Sequence, residues 1–382
     1  MGPEAGAGGG YVITQGSIPQ VIAQKESMIG PFLAGTANMR IRKPIAREEI
    51  FAPGKLHLST DAIHTVKPLE IDIPKGRLTV VTGVSGSGKT TMVLESLIPG
   101  LEAKLNGEHF PAHVKSITAE GIAHVKLIDA SPIGINVRST VATYANVHDE
   151  LRKIYAKTAD AKNRKYKAGD FSYNTGKLRC PVCDGTGQIS LDVQFLPDVD
   201  VPCPECGGSR YAREAWGICY ENKRGKRYSL PQMMEMDVTT ALQATEDWKV
   251  VHQRLEVLKN LGLGYLTLGE ETPSLSGGEA QRLKLASELH KSGNIYVLDE
   301  PTTGLHSQDV KHLLGLLRRL VSRGNTVVVV EHRMELIAAA DWIIDMGPGG
   351  GTQGGEVLFA GTPEELLCCS GSETGWYLAK KV

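Results

Sequence analysis

The sequence lacks any long apolar segment. Its 382 residues contain no run that approaches the roughly 18 consecutive apolar residues of a membrane-spanning helix, although 41% of them are hydrophobic. It also lacks an opening basic segment followed by an apolar one, which is the pattern of a secretory signal. We therefore expect a cytoplasmic protein that does not bind to a membrane, with a length that allows two or three domains.

The sequence also lacks an excess of charge of either sign. The net charge is −1, so the total indicates nothing about partners. The distribution indicates more, because residues 151–180 carry nine Lys/Arg against two Asp, and residues 207–229 carry six basic against two acidic residues. These stretches favour binding to nucleic acid, with a merely solvated charged surface as the alternative. The candidate DNA contacts are Arg164, Lys165, Lys167, Lys177, Arg179, Arg210 and Arg213.

Cysteine is scarce, with seven in the sequence, but four of the seven form two C-x-x-C pairs. In a reducing compartment such pairs favour a metal site over disulfides, and a redox pair is the alternative. Each pair turns tightly enough for two thiolates to converge, so two pairs predict a closed tetrahedral zinc site with a structural role. The expected ligands are Cys180, Cys183, Cys203 and Cys206, while Cys219, Cys368 and Cys369 are expected to pack as small hydrophobic residues.

Glycine is abundant, and one glycine-rich stretch has an informative spacing. Residues 83–91 read GVSGSGKTT, which fits the phosphate-loop pattern G-x-x-x-x-G-K-[ST]. A β-rich run at 78–82 precedes the stretch, and a helical pattern follows it until Pro-Gly at 99–100, where we expect the helix to end. Backbone N–H groups and Lys89 would bind phosphates, and Thr90 would bind Mg²⁺. The expected nucleotide-binding residues are Gly83, Ser85, Gly86, Gly88, Lys89, Thr90, Thr91 and Asp299.

Three later segments carry polar residues at the ends of predicted elements. Residues 275–282 read LSGGEAQR and open a helix, so their serine and glycines form a second anion-binding helix start. An apolar strand ends in Asp299, which suits a magnesium shell, and Glu300, which suits polarisation of the attacking water. Another strand, 326–330, leads to His332. A lone histidine there is usually structural, but its place after the other motifs favours a role in the site.

An internal repeat links the two ends of the chain. Residues 1–35 align without gaps to residues 346–380, with 12 identities in 35 positions. The second copy follows the nucleotide-site motifs, whereas the first copy follows none of them. We therefore expect the chain to be the later part of a longer tandem protein whose first cassette is missing. Chance similarity of glycine-rich turns is the alternative.

The motifs in this order resemble those of ATP-binding-cassette (ABC) ATPases. The segments at 131–134 (SPIG), 195–203 (FLPDVDVPC), 275–289, 296–306 and 331–348 resemble more closely the UvrA family, the DNA-damage recognition subunits of the bacterial nucleotide-excision repair excinuclease. The resemblance covers nearly the whole chain. It implies an α/β fold, an ABC-type P-loop ATPase cassette interrupted by an α+β insertion that contains the four-cysteine zinc module.

The resemblance also implies an activity, cofactors and partners. The chain would hydrolyse ATP at composite sites between cassettes, with ATP, Mg²⁺ and Zn²⁺ as cofactors and without nuclease activity of its own. Its partners would be damaged double-stranded DNA, a UvrB-type helicase, and another ABC cassette from a homodimer or from the missing N-terminal half. By motif, Glu300 and His332 would be catalytic, with His332 at the γ-phosphate. The signature residues Ser276, Gly277, Gly278 and Glu279 would act on a nucleotide held by a different cassette.

One residue departs from the family pattern. The family usually has glutamine just before SPIG, where ABC enzymes sense magnesium and the γ-phosphate, but this chain has Ala130, so slower hydrolysis or altered coupling is expected. Alternatives to a repair function are an antibiotic self-resistance ATPase of the UvrA type, an ATPase subunit of a transporter, and an inactive truncated product. The expected domains are a preceding cassette's tail (1–36), a connector (37–55), the first part of the core (56–130), the insertion (131–270, zinc module at about 177–212) and the rest of the core with the LSGG helix (271–382).

Overall fold

The computed structural model describes residues 10–34, 45–134, 136–191, 199–289, 293–305 and 307–381. These residues form two compact units. Apart from a few residues at the N-terminus, unit 1 contains Tyr11–Ala130 and Glu288–Val382, and unit 2 contains Ser131–Ser287. The insertion is predicted at 131–270. Unit 2 extends further, to Ser287, and includes most of the signature helix.

The strands, in chain order, are β1 (Lys55–Thr60), β2 (Leu69–Pro74), β3 (Leu78–Gly83), β4 (Val114–Ile117), β5 (His124–Ile128), β6 (Gln188–Leu191), β7 (Val199–Pro202), β8 (Cys219–Glu221), β9 (Arg227–Ser229), β10 (Asn294–Asp299), β11 (Thr326–Val330), β12 (Trp342–Gly347) and β13 (Glu356–Gly361). The helices are α1 (Ile18–Ala23), α2 (Gly30–Leu33), α3 (Arg47–Ile50), α4 (Ile98–Asn106), α5 (Val141–Tyr144), α6 (Val147–Tyr155), α7 (Ala159–Asn163), α8 (Leu230–Glu235), α9 (Val238–Ala244), α10 (Lys249–Leu258), α11 (Gly277–Glu288), α12 (Ser307–Ser322), α13 (Met334–Ala339), α14 (Pro363–Leu367) and α15 (Glu373–Ala379). None of the described helices is long and apolar enough to cross a membrane.

A six-stranded sheet in the order β13-β12-β3-β11-β10-β5 organises unit 1. All neighbouring strands are parallel except the β12–β13 pair, which is antiparallel. The β-branched run of β11 is buried along its whole length, as expected for a central strand covered on both faces. Because β3, β11 and β10 are parallel neighbours, their carboxyl ends meet at one edge of the sheet. The polar residues that follow these strands are therefore brought together there.

The core of unit 1 lies between this sheet and a second one. The second sheet has the order β2-β1-β4 and is antiparallel. Apolar side chains from both sheets, among them Leu58, Ile71, Val81, Val297 and Val330, form one buried cluster with the helix that follows the phosphate loop. Burial of such side chains fixes β3 and β10, and hence the loops at their ends, in the rigid part of the unit.

The internal repeat is also a structural repeat. Helices α1 and α2 correspond to α14 and α15 at the same offset. Both copies begin with a capping box, formed by Ser17 with Gln20 and by Thr362 with Glu365. Both also contain a serine hydroxyl that accepts a hydrogen bond from a glycine N–H three residues later, with N–O distances of 2.9 Å in the first copy and 2.8 Å in the second. The matching local hydrogen bonds favour a true repeat over chance similarity.

Unit 2 packs around aromatic side chains, although only 5% of the sequence is aromatic. Tyr155, Phe171, Tyr173 and Tyr211 are fully buried or nearly so. The rings of Tyr173 and Tyr211 meet edge to face with centroids 6.0 Å apart, an arrangement that aromatic pairs favour. Two small hairpins complete the unit, β6 with β7 and β8 with β9. The alternating residues 188–195 and 198–201 predict a hairpin that turns near 196–197. The pairing of β6 with β7 confirms the hairpin, and the predicted turn lies outside the described residues.

Three local predictions are wrong. The helix after the phosphate loop does not stop at residues 99–100, because a π-helical segment (Thr91–Leu97) leads into α4, whose first turn accommodates Pro99. The sequence of residues 147–166 predicts one charged amphipathic helix, but the helix is broken, because Thr158 caps α7 with its side chain. Residues 125–129 (VKLID) predict a buried strand, but this strand is β5, an edge strand that is mostly exposed.

Candidate functional site

The phosphate loop has the geometry of a nucleotide-binding loop. Gly83, Gly86 and Gly88 all have φ between 75° and 129°, a region that favours glycine. At Gly83 a Cβ would lie 2.0 Å from the carbonyl oxygen of Met346, so no side chain fits there. The hydroxyl of the buried Ser87 has no hydrogen-bond partner among the described residues, which suits a phosphate oxygen as its acceptor. The sequence analysis did not single out Ser87.

Lys89 lies at the start of the helix that follows this loop. Its ammonium donates to the carbonyl oxygens of Gly83 at 2.9 Å and Val84 at 2.8 Å, and the residue is only 9% exposed. Burial lowers the pKa of Lys89, whereas the negative charges of Glu300, Asp345 and Asp299 act in the opposite direction. Lys89 is therefore a largely buried cation close to acidic groups, and it supplies the positive charge that a nucleotide phosphate needs.

A second glycine-rich segment packs against the phosphate loop. The N–H of Gly351 donates to the carbonyl oxygen of Gly86 at 3.0 Å, and the N–H of Gly355 donates to that of Ser87 at 3.1 Å. At Gly354 a Cβ would lie 3.2 Å from the Cα of Ser87. This segment, residues 347–355, supports the loop from the side of β12. In the sequence this segment is recognisable only as part of the repeat. Its many glycines are the one feature that could have indicated close backbone packing.

The acidic pair at the end of β10 lies at the same sheet edge. Burial raises the pKa of Asp299, and repulsion by Glu300, Asp129 and Glu331 adds to the shift, while Lys89 opposes it. Mutually repelling carboxylates beside a serine- and threonine-bearing loop form the hard oxygen donor set that Mg²⁺ prefers. Glu300 has φ 44°, a left-handed backbone conformation that a non-glycine residue rarely adopts and that costs on the order of 1–3 kcal/mol.

His332 and Glu300 face each other at this edge. The His332 Nδ1 and Glu300 Oε1 atoms are 3.8 Å apart, and their side chains are 63% and 49% exposed. Between their segments lies Glu331, which is fully buried. Its carboxylate accepts hydrogen bonds from the backbone N–H groups of Thr302 at 3.0 Å, His332 at 2.9 Å and Arg333 at 3.0 Å. No motif in the sequence indicates a role for Glu331.

A further carboxylate approaches the site from β12. Asp345 is 2% exposed and accepts hydrogen bonds from the hydroxyls of Ser372 and of Thr374, the latter at 3.0 Å. Burial raises its pKa, although the two hydroxyls and Lys89 counteract the shift. Strand β12 pairs with β3, placing Asp345 beside Thr82 just before the phosphate loop. The α15 segment, which holds Ser372 and Thr374, is thereby tied to the neighbourhood of Lys89.

The signature segment of unit 2 is held by its own glutamate. One carboxylate oxygen of Glu279 accepts from both the N–H and the hydroxyl of Ser276, each at 2.7 Å, which satisfies the Ser276 N–H at the start of α11. The hydroxyl of Tyr265 donates to the other oxygen of Glu279. Burial by itself would raise the pKa of Glu279, but these hydrogen bonds outweigh it and lower that pKa. Ser276 and Glu279 are thus in direct contact at the start of α11.

The four cysteines of the two C-x-x-C pairs converge in unit 2. Their Sγ atoms all lie within 4.8 Å of one another, and the Cys180–Cys203 and Cys183–Cys206 sulfur pairs are 3.9 Å and 3.7 Å apart. A tetrahedral site with zinc–sulfur bonds of about 2.3 Å has sulfur–sulfur edges of roughly 3.8 Å, so the cluster fits Zn²⁺. Burial by itself would raise the pKa of Cys183. Hydrogen bonds donated by the N–H groups of Gly187 and Gly185 outweigh burial and lower that pKa to about 7.

The predicted DNA contacts occupy two kinds of environment in unit 2. Lys177 and Arg213 are 79% and 82% exposed at their side chains, and each lies near one carboxylate, Asp170 and Glu205 respectively. Arg210 differs, because its side chain is 4% exposed and pairs with Glu271 at 2.8 Å. It is an internal cation of the unit and not a surface group. The other candidates are at the surface or half-buried: Arg164, Lys165, Lys167 and Arg179.

Comparisons with known proteins give one consistent result. A family model described as ABC transporter matches residues 202–303. The chain is 43% identical to the UvrABC system protein A of Aquifex aeolicus over 386 residues, covering 100% of this chain and 41% of that protein. It is also 43% identical to the UvrABC system protein A of Staphylococcus epidermidis over 383 residues, covering 99% of this chain and 40% of that protein.

A solved structure gives the same result for the fold. The crystal structure of UvrA2 from Deinococcus radiodurans superimposes with a TM-score of 0.83 at 39% identity, covering 100% of this chain and 45% of that chain. These similarities confirm the predicted ABC ATPase cassette and the predicted resemblance to UvrA. The chain spans about two-fifths of the length of the curated relatives that it matches.

Proposed function

We propose that this chain, which has the fold of an ABC ATPase cassette and is similar over its whole length to part of UvrA, is a DNA-binding ATPase of nucleotide-excision repair. It recognises damaged duplex DNA and couples that binding to ATP hydrolysis in the cytoplasm. The observation that carries the proposal is in unit 2, where exposed cations lie on the same compact unit as the four-thiol cluster.

The geometry of unit 1 supports the proposed nucleotide roles. Lys89 and the loop N–H groups bind the phosphates, and Thr90 with Asp299 would hold Mg²⁺, which would neutralise phosphate charge. Glu300 orients the attacking water and His332 contacts the γ-phosphate. Glu300 and His332 lie 3.8 Å apart and largely exposed, which supports a shared contact with a ligand at that edge. Gly83, Ser85, Gly86, Gly88 and Thr91 complete the loop contacts.

The signature residues act on a nucleotide bound to a different cassette, so the site is composite. Ser276, Gly277, Gly278 and Glu279 begin α11, and a helix start attracts anions. Another ABC cassette is therefore a partner. Residues 10–34 support this, because Leu33 is 44% exposed while its counterpart in the second repeat copy, Leu378, is fully buried against β3 and α13. The first copy thus presents an apolar face that an equivalent cassette surface would cover.

Unit 2 supplies the contact with DNA. Zn²⁺ bound by the four cysteines would hold the two C-x-x-C turns and the β6–β7 hairpin together as a rigid module. The metal would have no open coordination position. The exposed Arg164, Lys165, Lys167, Lys177, Arg179 and Arg213 would neutralise backbone phosphates, which gives affinity without reading bases. Deformability of the damaged duplex would supply the preference for lesions. A UvrB-type helicase would be loaded at the bound lesion.

The test measures duplex affinity against salt for the zinc-loaded chain, with damaged and undamaged DNA of equal length. We expect log K to fall linearly with log salt, with a slope of about −0.9 for each phosphate contacted, and tighter binding to damaged DNA. A slope near zero, or no binding with zinc present, would refute the DNA role.

The ATPase part of the proposal has its own test. Turnover should rise faster than linearly with protein concentration, because two cassettes form one site. Lys89→Ala should lose nucleotide binding, and Glu300→Gln should keep binding but lose hydrolysis. Normal hydrolysis by Glu300→Gln would show that the catalytic assignment is wrong.

A further inference from the structure

Glu331 is a buried carboxylate between two segments of the nucleotide site. It follows β11 directly and is 0% exposed. Its Oε1 atom accepts from the N–H of Thr302 at 3.0 Å and also from the hydroxyl of Thr302. Its Oε2 atom accepts from the N–H groups of His332 at 2.9 Å and Arg333 at 3.0 Å. One side chain thus joins the loop after β10 to the segment after β11.

The chemistry of these contacts requires a carboxylate. All four groups that point at Glu331 are donors, and an ionised carboxylate only accepts hydrogen bonds. A glutamine of the same shape would direct its NH₂ group at one of the two donor pairs. The Thr302 hydroxyl can turn to accept from that group, but the N–H of Thr302, or the N–H groups of His332 and Arg333, would face another donor. The environment of Glu331 therefore distinguishes glutamate from its amide isostere.

The two joined segments carry the groups that face each other in the site. Glu300 lies two residues before Thr302 and holds a left-handed backbone conformation, φ 44°. Its N–H donates to the carbonyl oxygen of Val330 at 3.0 Å, directly before Glu331. His332 follows Glu331 in the chain. The 3.8 Å approach of Glu300 to His332 is thus bounded on both sides by bonds to residues 330 and 331.

We propose that Glu331 is a positioning residue for ATP hydrolysis, which sets the separation of the Glu300 carboxylate and the His332 imidazole by clamping Thr302 to the backbone of His332. This inference rests on the proposed roles of Glu300 and His332. Because Glu331 itself is buried, it does not contact the nucleotide; it reaches the site through these neighbours and through its negative charge, which repels Asp299. Misplacement of reacting groups by about 1 Å is enough to cost on the order of 100-fold in rate.

Another buried carboxylate of unit 1 provides a matched control. Asp341 is 4% exposed and accepts from the N–H of Leu78 at 2.8 Å and from Arg318 at 2.6 Å. It precedes β12, at the end of the sheet opposite the phosphate loop. Replacing Asp341 by asparagine therefore removes the charge of a buried, hydrogen-bonded carboxylate without altering the catalytic edge.

The experiment compares wild type, Glu331→Gln, Thr302→Val, Thr302→Ser and Asp341→Asn for binding of a fluorescent ATP analogue and for turnover at saturating ATP. We expect Glu331→Gln to keep its affinity for ATP and to lower kcat by about 10- to 100-fold. Thr302→Val should lower kcat less, and Thr302→Ser, which keeps the hydroxyl, should restore it. The double variant Glu331→Gln/Thr302→Val should be no slower than Glu331→Gln alone, because both changes break one clamp.

Hydrogen exchange of residues 300–305 and 331–336 in nucleotide-free protein provides a readout that does not depend on turnover. Glu331→Gln should speed exchange in both segments together, and Asp341→Asn should speed it in neither. Wild-type kcat in Glu331→Gln, a parallel loss of ATP affinity and kcat, or unchanged exchange in the two segments would overturn the inference. Failure of wild type to hydrolyse ATP would instead contradict the proposed function, and the exchange result would still decide whether the clamp exists.

Discussion

Arg210 and Glu271 form an ion pair of 2.8 Å across 61 positions of the sequence. The same guanidinium donates to the carbonyl oxygens of Val137 at 3.0 Å and of Gly185 at 3.4 Å, and Gly185 follows Cys183, a member of the four-cysteine cluster, by two positions. Glu271 directly precedes the 3₁₀ turn Thr272–Ser274, which leads into the signature segment. Arg210 therefore connects the cysteine cluster to the segment ahead of α11, all within unit 2.

Replacing Arg210 should destabilise unit 2. Arg210→Ala leaves the half-buried carboxylate of Glu271 without this cation, and breaking such a pair typically costs about 3 kcal/mol. Arg210→Lys should restore little, because an ammonium cannot reach the three acceptors that the guanidinium fork reaches. Arg213→Ala is the control, since that side chain is 82% exposed and its ion pair should contribute less than about 1 kcal/mol. Urea unfolding measures the differences, and equal effects of Arg210→Ala and Arg213→Ala would contradict the internal role of Arg210.

Removing one cysteine of the cluster should abolish zinc retention. Cys203 is 0% exposed and its sulfur lies 3.9 Å from that of Cys180, so Cys203→Ser replaces one of four convergent thiols. Structural zinc sites of this kind have binding free energies on the order of 10–16 kcal/mol, most of which stabilises the fold of the module. Cys219→Ser is the control outside the cluster. Elemental analysis after gel filtration should find one zinc per chain in wild type and Cys219→Ser and none in Cys203→Ser. Equal zinc in all three proteins would exclude this site.

Removing exposed cations of unit 2 should change the salt dependence of DNA binding. The triple variant Lys165→Ala, Lys167→Ala, Lys177→Ala should make the slope of log K against log salt shallower by up to about 0.9 for each lysine that contacts a phosphate. Affinity for damaged and undamaged duplex should fall by similar factors, because phosphate contacts do not read the lesion. A triple replacement of the exposed Lys104, Lys126 and Lys311 of unit 1 is the control. If both triple variants shift the slope equally, the effect is one of total charge and not of unit 2.

The sequence could predict those parts of the site that are local in the chain. The phosphate loop and the two C-x-x-C pairs are each specified within a few residues. The loop has the glycine conformations, and the four cysteines have the convergence, that their spacing predicts. The strands of the central sheet were predictable for the same reason, because runs such as that of β11 are apolar and β-branched throughout.

The remaining features depend on partners that are distant in sequence. Nothing near Arg210 in the chain indicates that Glu271 lies 2.8 Å away, so its charge alone made it resemble the exposed Arg213. The role of Glu331 depends on Thr302, which only the parallel pairing of β10 with β11 brings close. Strand β5 has an apolar pattern, but its place at the sheet edge is a property of topology. Sequence periodicity does not contain that information.

Acid should destabilise the protein through His148. Burial lowers the pKa of His148 to about 3, with Arg152 and Arg210 adding to the shift, and its Nε2 atom lies 2.8 Å from the hydroxyl of Tyr211. Because the folded pKa lies below the ordinary value of 6.5, the unfolded chain binds the proton first as the pH falls. The contribution is therefore fully present above pH 6.5 and is lost progressively below it, by about 2 kcal/mol at pH 5.

The measurement is the midpoint temperature of thermal unfolding, recorded for wild type and His148→Gln at several pH values from 5 to 7.5. His148→Gln should show the weaker dependence on pH, even if it is less stable at neutral pH. The exposed His109→Gln should follow wild type, since its ring is not buried. Identical pH profiles for wild type and His148→Gln would show that another group dominates acid unfolding.

The residue before the SPIG segment should limit the rate of hydrolysis. Strand β5 pairs in parallel with β10, with Ile128 opposite Leu298, so Ala130 follows β5 at the edge where Asp299 ends β10 and Glu300 follows it. Asp129 already contributes to the raised pKa of Asp299, which supports this proximity.

Ala130→Gln would add an amide that can contact a magnesium-bound water or the γ-phosphate, and a contact made mainly in the transition state raises kcat more than it lowers KM. We expect kcat to increase by about 10-fold, the value of one hydrogen bond of roughly 1.4 kcal/mol. Ala123→Gln, an exposed change at the other end of β5, should leave turnover unchanged. If neither Ala130→Gln nor Ala123→Gln changes kcat, the absence of an amide at position 130 does not limit hydrolysis.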